Sequence, residues 1–253
     1  MPNPRWTHDR KLAKTRLGVV GADEAGRGCL AGPVVAGAVI LPSPFFGDAK
    51  NRKLTAEMND SKQFDEKKRE SLYSRVLELA ENKVLFGATG KASVEEIEEH
   101  NIVGATCLAM QRAMDAASCK YAGLWKPELT SSMELFENNR DQGKDWIVLV
   151  DGRPMKKLPY KHAGLVKGDT KSLAIAMASM LAKVSRDRFM RELHNQFPEF
   201  GFNSNKGYGA PFHLRALREC GPTEHHRPRF LRNLLSDTKN TARNQEQSQL
   251  SLL

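Results

Sequence analysis

Two adjacent carboxylates, Asp23 and Glu24, directly follow an apolar run over residues 17–22, and Arg27 comes next between two glycines. The run has the length and β-branched content of a buried strand. Carboxylates at the end of such a strand repel each other and lose water together, and a divalent cation removes both penalties. The glycines let a backbone approach a phosphodiester, whose oxygens match a guanidinium. The segment therefore predicts metal-dependent chemistry on phosphate esters.

Two further carboxylates follow strand-like runs later in the chain. The run 146–150 ends at Asp151 and a glycine, and the run 162–166 leads through a Lys-Gly pair to Asp169. Taken alone, an Asp-Gly pair is more typical of a turn, and Asp169 is more typical of a helix cap. Functional groups gather beyond strand ends in open α/β sheets, so three strands that end in acids favour one shared cation site.

Asp187 competes with Asp169 as the last carboxylate of this cluster. It lies seven positions after Met180, on the same face of a helix predicted over residues 172–197. It also lies four residues from Lys183 and from an arginine, and ion pairs on the helix surface would satisfy it equally well. The residues alone leave this choice open.

Tyr208 stands between two glycines and close to Lys206. An exposed ring can stack on a sugar or base, and its hydroxyl can contact a ribose 2′-OH, the group that separates RNA from DNA. A plain Gly-Tyr-Gly turn is the alternative, and it would be favoured if the acids were absent. Lys62, Lys183 and Lys206 are candidate phosphate contacts, although a single lysine is more often a solvated charge.

The elements that would position these side chains follow an α/β order. The runs 17–22 and 34–41 are predicted to pair within one sheet, and residues 83–89 are predicted as a short strand. Residues 93–96 have the pattern of a capping box, and the segment 118–144 is predicted as an exposed loop or insertion. Apolar residues at helical spacing predict helices over 65–81, 101–117 and 172–197.

The composition limits the class of protein. The chain has 253 residues, of which 40% are hydrophobic and 27% charged, so it can bury one core and carry tails. Its net charge of +9 favours a polyanionic partner. Four cysteines without a CxxC pair predict neither zinc nor disulfides, which indicates a reducing cytoplasm. Without a signal core or an apolar run of membrane length, no membrane partner is expected.

Several ordered motifs resemble those of the ribonuclease HII family, also called type 2 ribonuclease H. The first is GADEAGRG at residues 21–28, followed by LAGPVV at 30–35. The resemblance runs from about residue 17 to about residue 229, and the ordered set makes it highly specific. The later motifs are DSK at 60–62, VDG at 150–152, KGD at 167–169, LAKVSRD at 181–187 and KGYG at 206–209.

The resemblance implies a ribonuclease H-like fold, in which helices flank a mixed central sheet and a helical C-terminal part helps to grip the duplex. It decides against Asp187 as a member of the acidic set. The catalytic and metal-binding carboxylates that it implies are Asp23, Glu24, Asp151 and Asp169. The residues that it implies for recognition of a ribonucleotide–deoxyribonucleotide junction are Gly26, Arg27, Gly28 and Tyr208.

The activity that the resemblance implies is endonucleolytic cleavage of the RNA strand of RNA·DNA hybrids. DNA duplexes would also be nicked on the 5′ side of an embedded ribonucleotide, which leaves 3′-hydroxyl and 5′-phosphate ends. One or two Mg²⁺ or Mn²⁺ ions, hard cations suited to oxygen ligands, would assist in-line attack by water without a covalent intermediate. The expected partners are therefore these nucleic acids, and the protein is expected to be a monomer.

Two residues beside the site depart from the usual family pattern. Cys29 replaces a common proline and loosens its loop, and Arg153 replaces a frequent asparagine and adds a positive charge. Two rival classes are a non-catalytic binder of hybrids and another metal nuclease of the broader fold, such as a resolvase or a type 1 ribonuclease H. Acids do not help to bind a polyanion, which argues against the binder, and Tyr208 with residues 23–28 argues against both.

The expected organisation is a basic N-terminal tail over residues 1–16, a catalytic domain with its C-terminal helical part over 17–235, and a disordered tail over 236–253. One geometric condition applies within the catalytic domain. Successive strand residues point to opposite faces, so the first strand is expected to end or bulge after Asp23 if Glu24 is to reach the same ions from the side.

Overall fold

The computed structural model describes residues 3–122, 125–130 and 145–232. The predicted insertion over 118–144 lies only partly within these ranges, and the predicted tail over 236–253 lies outside them. No helix in the described ranges is long and apolar enough to cross a membrane.

A mixed sheet of five strands lies at the centre of the fold, in the order β3-β2-β1-β4-β5. β1 is antiparallel to β2 and parallel to β4, and β5 is parallel to β4. The predicted pairing of the first two strands and the predicted fold class are both confirmed. The strands are β1 (Gly18–Ala25), β2 (Val34–Pro42), β3 (Phe86–Ala92), β4 (Trp146–Asp151) and β5 (Ala163–Leu165).

Helices cover both faces of this sheet. α1, α3 and α5 share one apolar core with the sheet, α4 shares a second core on the opposite face, and the segments after α5 form a third core around Phe200 and Phe202. The helices are α1 (Pro4–Ala13), α2 (Ala49–Leu54), α3 (Glu66–Glu81), α4 (Val94–Lys120), α5 (Leu173–Gln196), α6 (Phe202–Asn205) and α7 (Pro211–Cys220). The predictions over 65–81 and 172–197 correspond to α3 and α5.

α5 packs unusually close to the two central strands because glycines face it. A Cβ atom on Gly21 of β1 would lie 2.3 Å from the main-chain carbon of Ala174, and one on Gly37 of β2 would lie 2.2 Å from the carbonyl oxygen of Ala178. Such distances exclude any side chain at either strand position. The backbone of β1 is therefore fixed against α5 immediately before its two carboxylates.

β3 and α4 begin at other residues than predicted. β3 starts at Phe86 rather than Lys83, because Lys83 has a φ of 55° and turns the chain out of α3. α4 starts at Val94, where the predicted capping box is confirmed by reciprocal bonds between Ser93 and Glu96. Asn101, at which the helix was expected to begin, instead has a φ of 57° and forms a kink within it.

The N-terminal segment differs from the predicted basic tail. Residues Pro4–Ala13 form α1, with the Asn3 side chain accepting a hydrogen bond from the Arg5 amide at its start. The Trp6 ring is buried, and its centroid lies 5.2 Å from the ring centroids of both Phe45 and Phe46. A helix with few apolar residues is thus held on the body of the protein by the contacts of the Trp6 ring and by its buried polar groups.

Candidate active site

The topology of the sheet brings the predicted carboxylates to one edge. Asp23 and Glu24 lie near the C-terminal end of β1, and Asp151 is the last residue of β4, which is parallel to β1. Asp169 lies in the short 3₁₀ turn Gly168–Thr170 between β5 and α5. Because parallel strands end at the same side of a sheet, these side chains share one region, which we call the acidic edge.

Asp23 occupies the most enclosed position of the acidic edge. It is 5% exposed, its Oδ1 accepts a hydrogen bond of 2.7 Å from the Glu24 amide, and its carboxylate also bonds to the Ser179 side chain. Burial raises the pKa of Asp23 well above its ordinary value, and the nearby charges of Glu24 and Asp151 raise it further. The hydrogen bonds from Glu24 and Ser179 therefore compensate only in part for the loss of water around the Asp23 carboxylate.

Asp151 and Asp169 are linked through the main chain. The Gly168 amide donates a 2.6 Å hydrogen bond to Asp151 Oδ1, and a Cβ atom on Gly168 would lie 2.5 Å from Ile175. Asp169 is 5% exposed, and its pKa is raised by burial and by the charges of Asp60 and Asp151. The turn that carries Asp169 is thus fixed directly against the end of β4.

Two cations lie beside these acids. Lys62 Nζ is 3.8 Å from Asp169 Oδ2, and although burial lowers the pKa of Lys62, the charges of Asp169 and Asp23 raise it overall. Arg27 Nη1 is 3.1 Å from Glu24 Oε1. Burial raises the pKa of Glu24, and Arg27 opposes this effect. Of the three lysines predicted to meet phosphate, Lys62 is the one at the acidic edge.

The other two lysines have protein partners. Lys183 Nζ lies 2.9 Å from Asp187 Oδ1, which is the helix ion pair considered as the alternative for Asp187. Lys206 is buried, with its ammonium 3.7 Å from Glu66, and burial lowers its pKa.

The expected break in β1 between Asp23 and Glu24 is wrong, although the strand ends soon afterwards, at Ala25, and its pairing with β4 ends at Ala22. The ladder with β2 continues without interruption, with Glu24 opposite Ala36 and Ala25 opposite Val35. Asp23 and Glu24 therefore lie on opposite sides of a regular strand, as the pleat requires. Asp23 contacts Ser179 of α5, and Glu24 contacts Arg27 in the loop that follows.

The donor set of the acidic edge fits a hard divalent cation. Four carboxylates share the region. Burial and the charges of Glu24 and Asp151 raise the pKa of Asp23, and a bound cation would relieve this repulsion. Within the described ranges, however, no three His, Cys, Asp or Glu side chains converge closely enough to hold an ion as they stand. The fold thus brings the four carboxylates to one edge of the sheet, but their side chains are not close enough together to coordinate one ion.

The segments predicted to recognise a junction also meet in space, although they are far apart in the chain. Residues 26–33 and 206–209, which we call the junction loops, are joined by Leu30 N–H to the Gly207 carbonyl at 2.8 Å. Gly26 has a φ of 93°, and a Cβ there would lie 2.0 Å from Arg186 Nε. Only glycine fits this position, because both the backbone and the space exclude a side chain.

Two buried arginines, which the sequence does not single out, hold these loops. Arg186 donates to the carbonyls of Pro33, Lys206 and Ala31 at 3.0, 2.8 and 3.0 Å. Arg227 donates twice to the Gly32 carbonyl, at 2.9 and 2.7 Å, and once to the Arg27 carbonyl at 3.0 Å. The position of Arg186 within the LAKVSRD motif is the one signal for its role.

Tyr208 lies on the surface of the junction loops, and the residue is 46% exposed. Its pKa is raised by partial burial and by Cys29, whose side chain shares a hydrogen bond with the Tyr208 hydroxyl. The Tyr208 carbonyl accepts from His213 Nδ1 at 2.8 Å, and His213 Nε2 lies 3.0 Å from His226 Nε2. The structure therefore brings Tyr208 beside the Gly-Arg-Gly segment and supports it from behind.

Two buried histidines, His226 and His213, form a chain of hydrogen bonds that ends at the Tyr208 carbonyl. The Thr223 amide donates to His226 Nδ1 at 3.0 Å, so His226 Nε2 carries the proton and donates to His213 Nε2. His213 Nδ1 then donates to Tyr208. Burial lowers the pKa of His226 to about 4, and burial also lowers that of His213. Both rings are neutral at ordinary pH.

Comparison with known proteins identifies the same family as the motifs. A family model described as Ribonuclease HII matches residues 20–234. Ribonuclease HII of Fusobacterium nucleatum is 40% identical over 237 residues, which cover 93% of this chain and 94% of that protein.

Solved structures of similar proteins share the fold. The ribonuclease H2 from Pyrococcus horikoshii OT3 has a TM-score of 0.58 at 22% identity, with 87% of this chain and 98% of that chain covered. Bst-RNase HIII in complex with Mn²⁺ has a TM-score of 0.61 at 14% identity, with 91% and 73% covered. At these identities the likeness shows a common fold.

Proposed function

The chain belongs to the ribonuclease HII family, and on that premise we propose that its phosphodiester hydrolysis takes place at the acidic edge. Members of the family are metal-dependent endonucleases that cleave RNA in RNA·DNA hybrids, and this chain is one of them. The side chains proposed to hold the divalent ions are Asp23, Glu24, Asp151 and Asp169.

The observation that carries the proposal is the charge conflict around Asp23. Its carboxylate is buried next to Glu24 and Asp151, and all these effects raise its pKa. A protein that only bound nucleic acid would gain nothing from acids in this position, because they repel phosphate. Bound divalent ions would turn the conflict into a binding site for the scissile phosphate.

The residues of the acidic edge would have different roles in the reaction. When bound, ions of the Mg²⁺ or Mn²⁺ type supply an acidified water and neutralise charge on the phosphate. Asp23 is the central ligand, held by the Glu24 amide and by Ser179. The Gly168 amide occupies Asp151 Oδ1 and orients the carboxylate, so that its other oxygen is directed as a ligand.

We further propose that the bound ions are Mg²⁺ or Mn²⁺. The similar Bst-RNase HIII structure contains Mn²⁺, and carboxylate oxygens suit Mg²⁺ as well as Mn²⁺. We assign one or two such ions to this chain. Lys62, beside Asp169, is proposed to contact substrate phosphate, since its ammonium is exposed and has no closer partner among the described acids.

The junction loops are proposed to select the ribonucleotide. The backbone of Gly26 and Gly28 approaches the sugar-phosphate chain, Arg27 contacts phosphate, and the Tyr208 ring and hydroxyl contact the ribose of the ribonucleotide that precedes a deoxyribonucleotide. Cleavage on the 5′ side of the ribonucleotide leaves 3′-hydroxyl and 5′-phosphate ends. The exposure of Tyr208 supports this role, because a buried ring could not stack on a nucleotide.

A monomeric, cytoplasmic enzyme completes the proposal. Its cysteines are free thiols, as expected in a reducing compartment: Cys29, Cys107, Cys119 and Cys220. Sedimentation equilibrium should give a mass of 28.3 kDa. A mass of twice this value at micromolar concentration would contradict the monomer.

The test of the proposed site is a nicking assay on a DNA duplex with one embedded ribonucleotide. The protein is expected to cut 5′ to that ribonucleotide in Mg²⁺ or Mn²⁺ and to leave the duplex intact in chelator. Asp151→Asn should lose cleavage, whereas Asp145→Asn, an exposed acid paired with Arg16, should cut like the parent. Full activity of Asp151→Asn would remove Asp151 from the proposed set.

A further inference from the structure

α1 lies before residue 20, where the match to the family model begins, and yet it reaches the acidic edge. Two of its charged residues, Arg5 and Asp9, are 9% and 0% exposed. Charged side chains are rarely buried unless they have specific partners. Their partners include the segment 168–174, which carries Asp169, together with Asn59 for Arg5 and His8 for Asp9.

Arg5 binds the main chain of Asp169. Its Nε donates a 2.7 Å hydrogen bond to the Asp169 carbonyl oxygen, and its Nη2 donates to the Asn59 side chain. Because the bond goes to the carbonyl, Arg5 itself bonds to neither carboxylate oxygen of Asp169. Arg5 thereby fixes the peptide plane from which the Asp169 side chain projects, and it brings a positive charge near the acids without occupying them.

Asp9 fixes the other end of the same segment. Its Oδ2 accepts hydrogen bonds from Ser172 Oγ at 3.0 Å and from the Ala174 amide at 2.9 Å. Ser172 is itself the N-cap of α5 and accepts from the Ile175 amide. The first turn of α5 is thus capped by a carboxylate from a helix about 160 residues away in the chain.

We propose that α1 is a positioning element of the active site, in which Arg5 sets the placement of Asp169 and Asp9 anchors the turn that carries it. The Gly168 amide holds the start of this segment against Asp151, and α1 adds the bonds at Asp169, Ser172 and Ala174. A shift of the Asp169 carboxylate would loosen the ion-binding set, since ligand orientation depends on the groups that hold each ligand. This inference rests on the proposed role of Asp169.

The principal test compares Arg5→Met with Arg10→Met, which removes an exposed arginine from the same helix. For Arg5→Met we expect kcat to fall about 10- to 100-fold, with little change in KM for the hybrid. Calorimetric titration with Mn²⁺ alone, without substrate, should show a similar loss of affinity. Arg10→Met should match the parent in both measurements.

A double variant separates positioning from general destabilisation. In an Asp169→Ala background, Arg5→Met should cause no further loss of Mn²⁺ affinity, because Arg5 acts through Asp169. A further loss of the same size would overturn the proposal. So would an Arg5→Met protein whose kcat and Mn²⁺ affinity equal those of Arg10→Met.

If Arg5→Met does not fold, two more conservative variants test the same positioning role. Arg5→Lys keeps the charge with a shorter reach, and Asp9→Asn keeps an acceptor for the Ala174 amide. Both should show faster amide hydrogen exchange over residues 168–174 than the parent and a kcat below that of the parent. Unchanged exchange and kcat in both variants would contradict the proposal.

The activities of Asp169→Asn and Arg5→Met distinguish an error in this inference from an error in the proposed function. If Asp169→Asn cleaves normally, the assignment of Asp169 is wrong and Arg5 has no catalytic ligand to position. If Asp169→Asn is inactive and Arg5→Met is fully active, the acidic edge stands and α1 is only structural.

Discussion

The acidic edge and the junction loops lie side by side, and they treat buried charge in opposite ways. At the acidic edge, Asp23 is enclosed next to other carboxylates, and their repulsion and its burial both raise its pKa. In the junction loops, Arg186 and Arg227 each donate three hydrogen bonds to main-chain carbonyls. The acidic edge has more carboxylates than nearby cations, whereas every guanidinium nitrogen of the two arginines donates to a carbonyl of the junction loops.

The difference separates two tasks of a nuclease site. The junction loops must keep the shape that recognises a nucleotide before any ligand arrives, so their restraints come from the protein itself. The acidic edge must attract cations, so its free energy is lowered only when ions bind. Substitutions in the two regions should therefore change stability in opposite directions.

The largest effect is expected for Asp23→Asn. Loss of the central carboxylate should reduce cleavage by at least about 10³-fold, since metal ions supply several kcal/mol of transition-state stabilisation. The melting temperature in chelator should rise, because an amide removes the repulsion with Glu24 and Asp151. A lower melting temperature than the parent's would show that Asp23 is not under electrostatic strain.

The opposite change in stability is expected for Arg186→Met. Removal of the guanidinium leaves three carbonyls without their donor, at about 1–3 kcal/mol each, so the free energy of unfolding in urea should fall by at least about 3 kcal/mol. Arg188→Met on the same helix removes an exposed ion pair with Glu70 and should cost less than about 1 kcal/mol. Equal losses would contradict the supporting role of Arg186.

Acid should weaken the junction loops through His226. The unfolded chain protonates this histidine below about pH 6.5, whereas the folded protein does so only below about pH 4. Between these values the unfolded state binds more protons, so the free energy of unfolding should decrease as pH falls, by up to about 3 kcal/mol.

The measurement for this prediction is urea unfolding of the parent and of His226→Asn between pH 7 and 4. The stability difference between them should shrink as pH falls, since other titrating groups are common to both proteins. A difference independent of pH would mean that His226 is not held neutral by the fold.

The smallest effect is expected for Tyr208→Phe. Loss of the hydroxyl removes one hydrogen bond, so kcat/KM on a duplex with a single ribonucleotide should fall about 10-fold. Tyr121→Phe, whose ring packs on Phe86 and Trp146 away from the junction loops, should be unchanged. Equal rates for Tyr208→Phe and the parent would remove the recognition role of the hydroxyl.

Much of the sheet could be predicted from local pattern. β1, β2 and β4 are runs of β-branched residues between breakers, and their pairing follows from the α/β order. α1 could not be predicted in this way. Its packing depends on Arg5, Asp9 and Trp6, whose partners are distant in sequence, and a polar helix has no apolar periodicity to reveal it.

The site was predictable to a similar degree. The ends of β1 and β4 indicate where Asp23 and Asp151 meet, because acids after buried strands are unusual. Arg186 and Arg227 gave no such signal, since an arginine on a helix or in a loop is normally exposed and its burial depends on tertiary contacts. The uninterrupted ladder at Glu24 was likewise invisible to sequence, because its pairing is set by β2.

The central claim is that carboxylates from separate parts of the chain jointly bind divalent ions. The most direct test is a Mn²⁺ binding isotherm, with free Mn²⁺ followed by electron paramagnetic resonance, for the parent, Asp23→Asn and Asp145→Asn. The parent and Asp145→Asn should bind one or two ions per chain with the same affinity, and Asp23→Asn should lose this binding. Equal Mn²⁺ binding by all three proteins would contradict the claim.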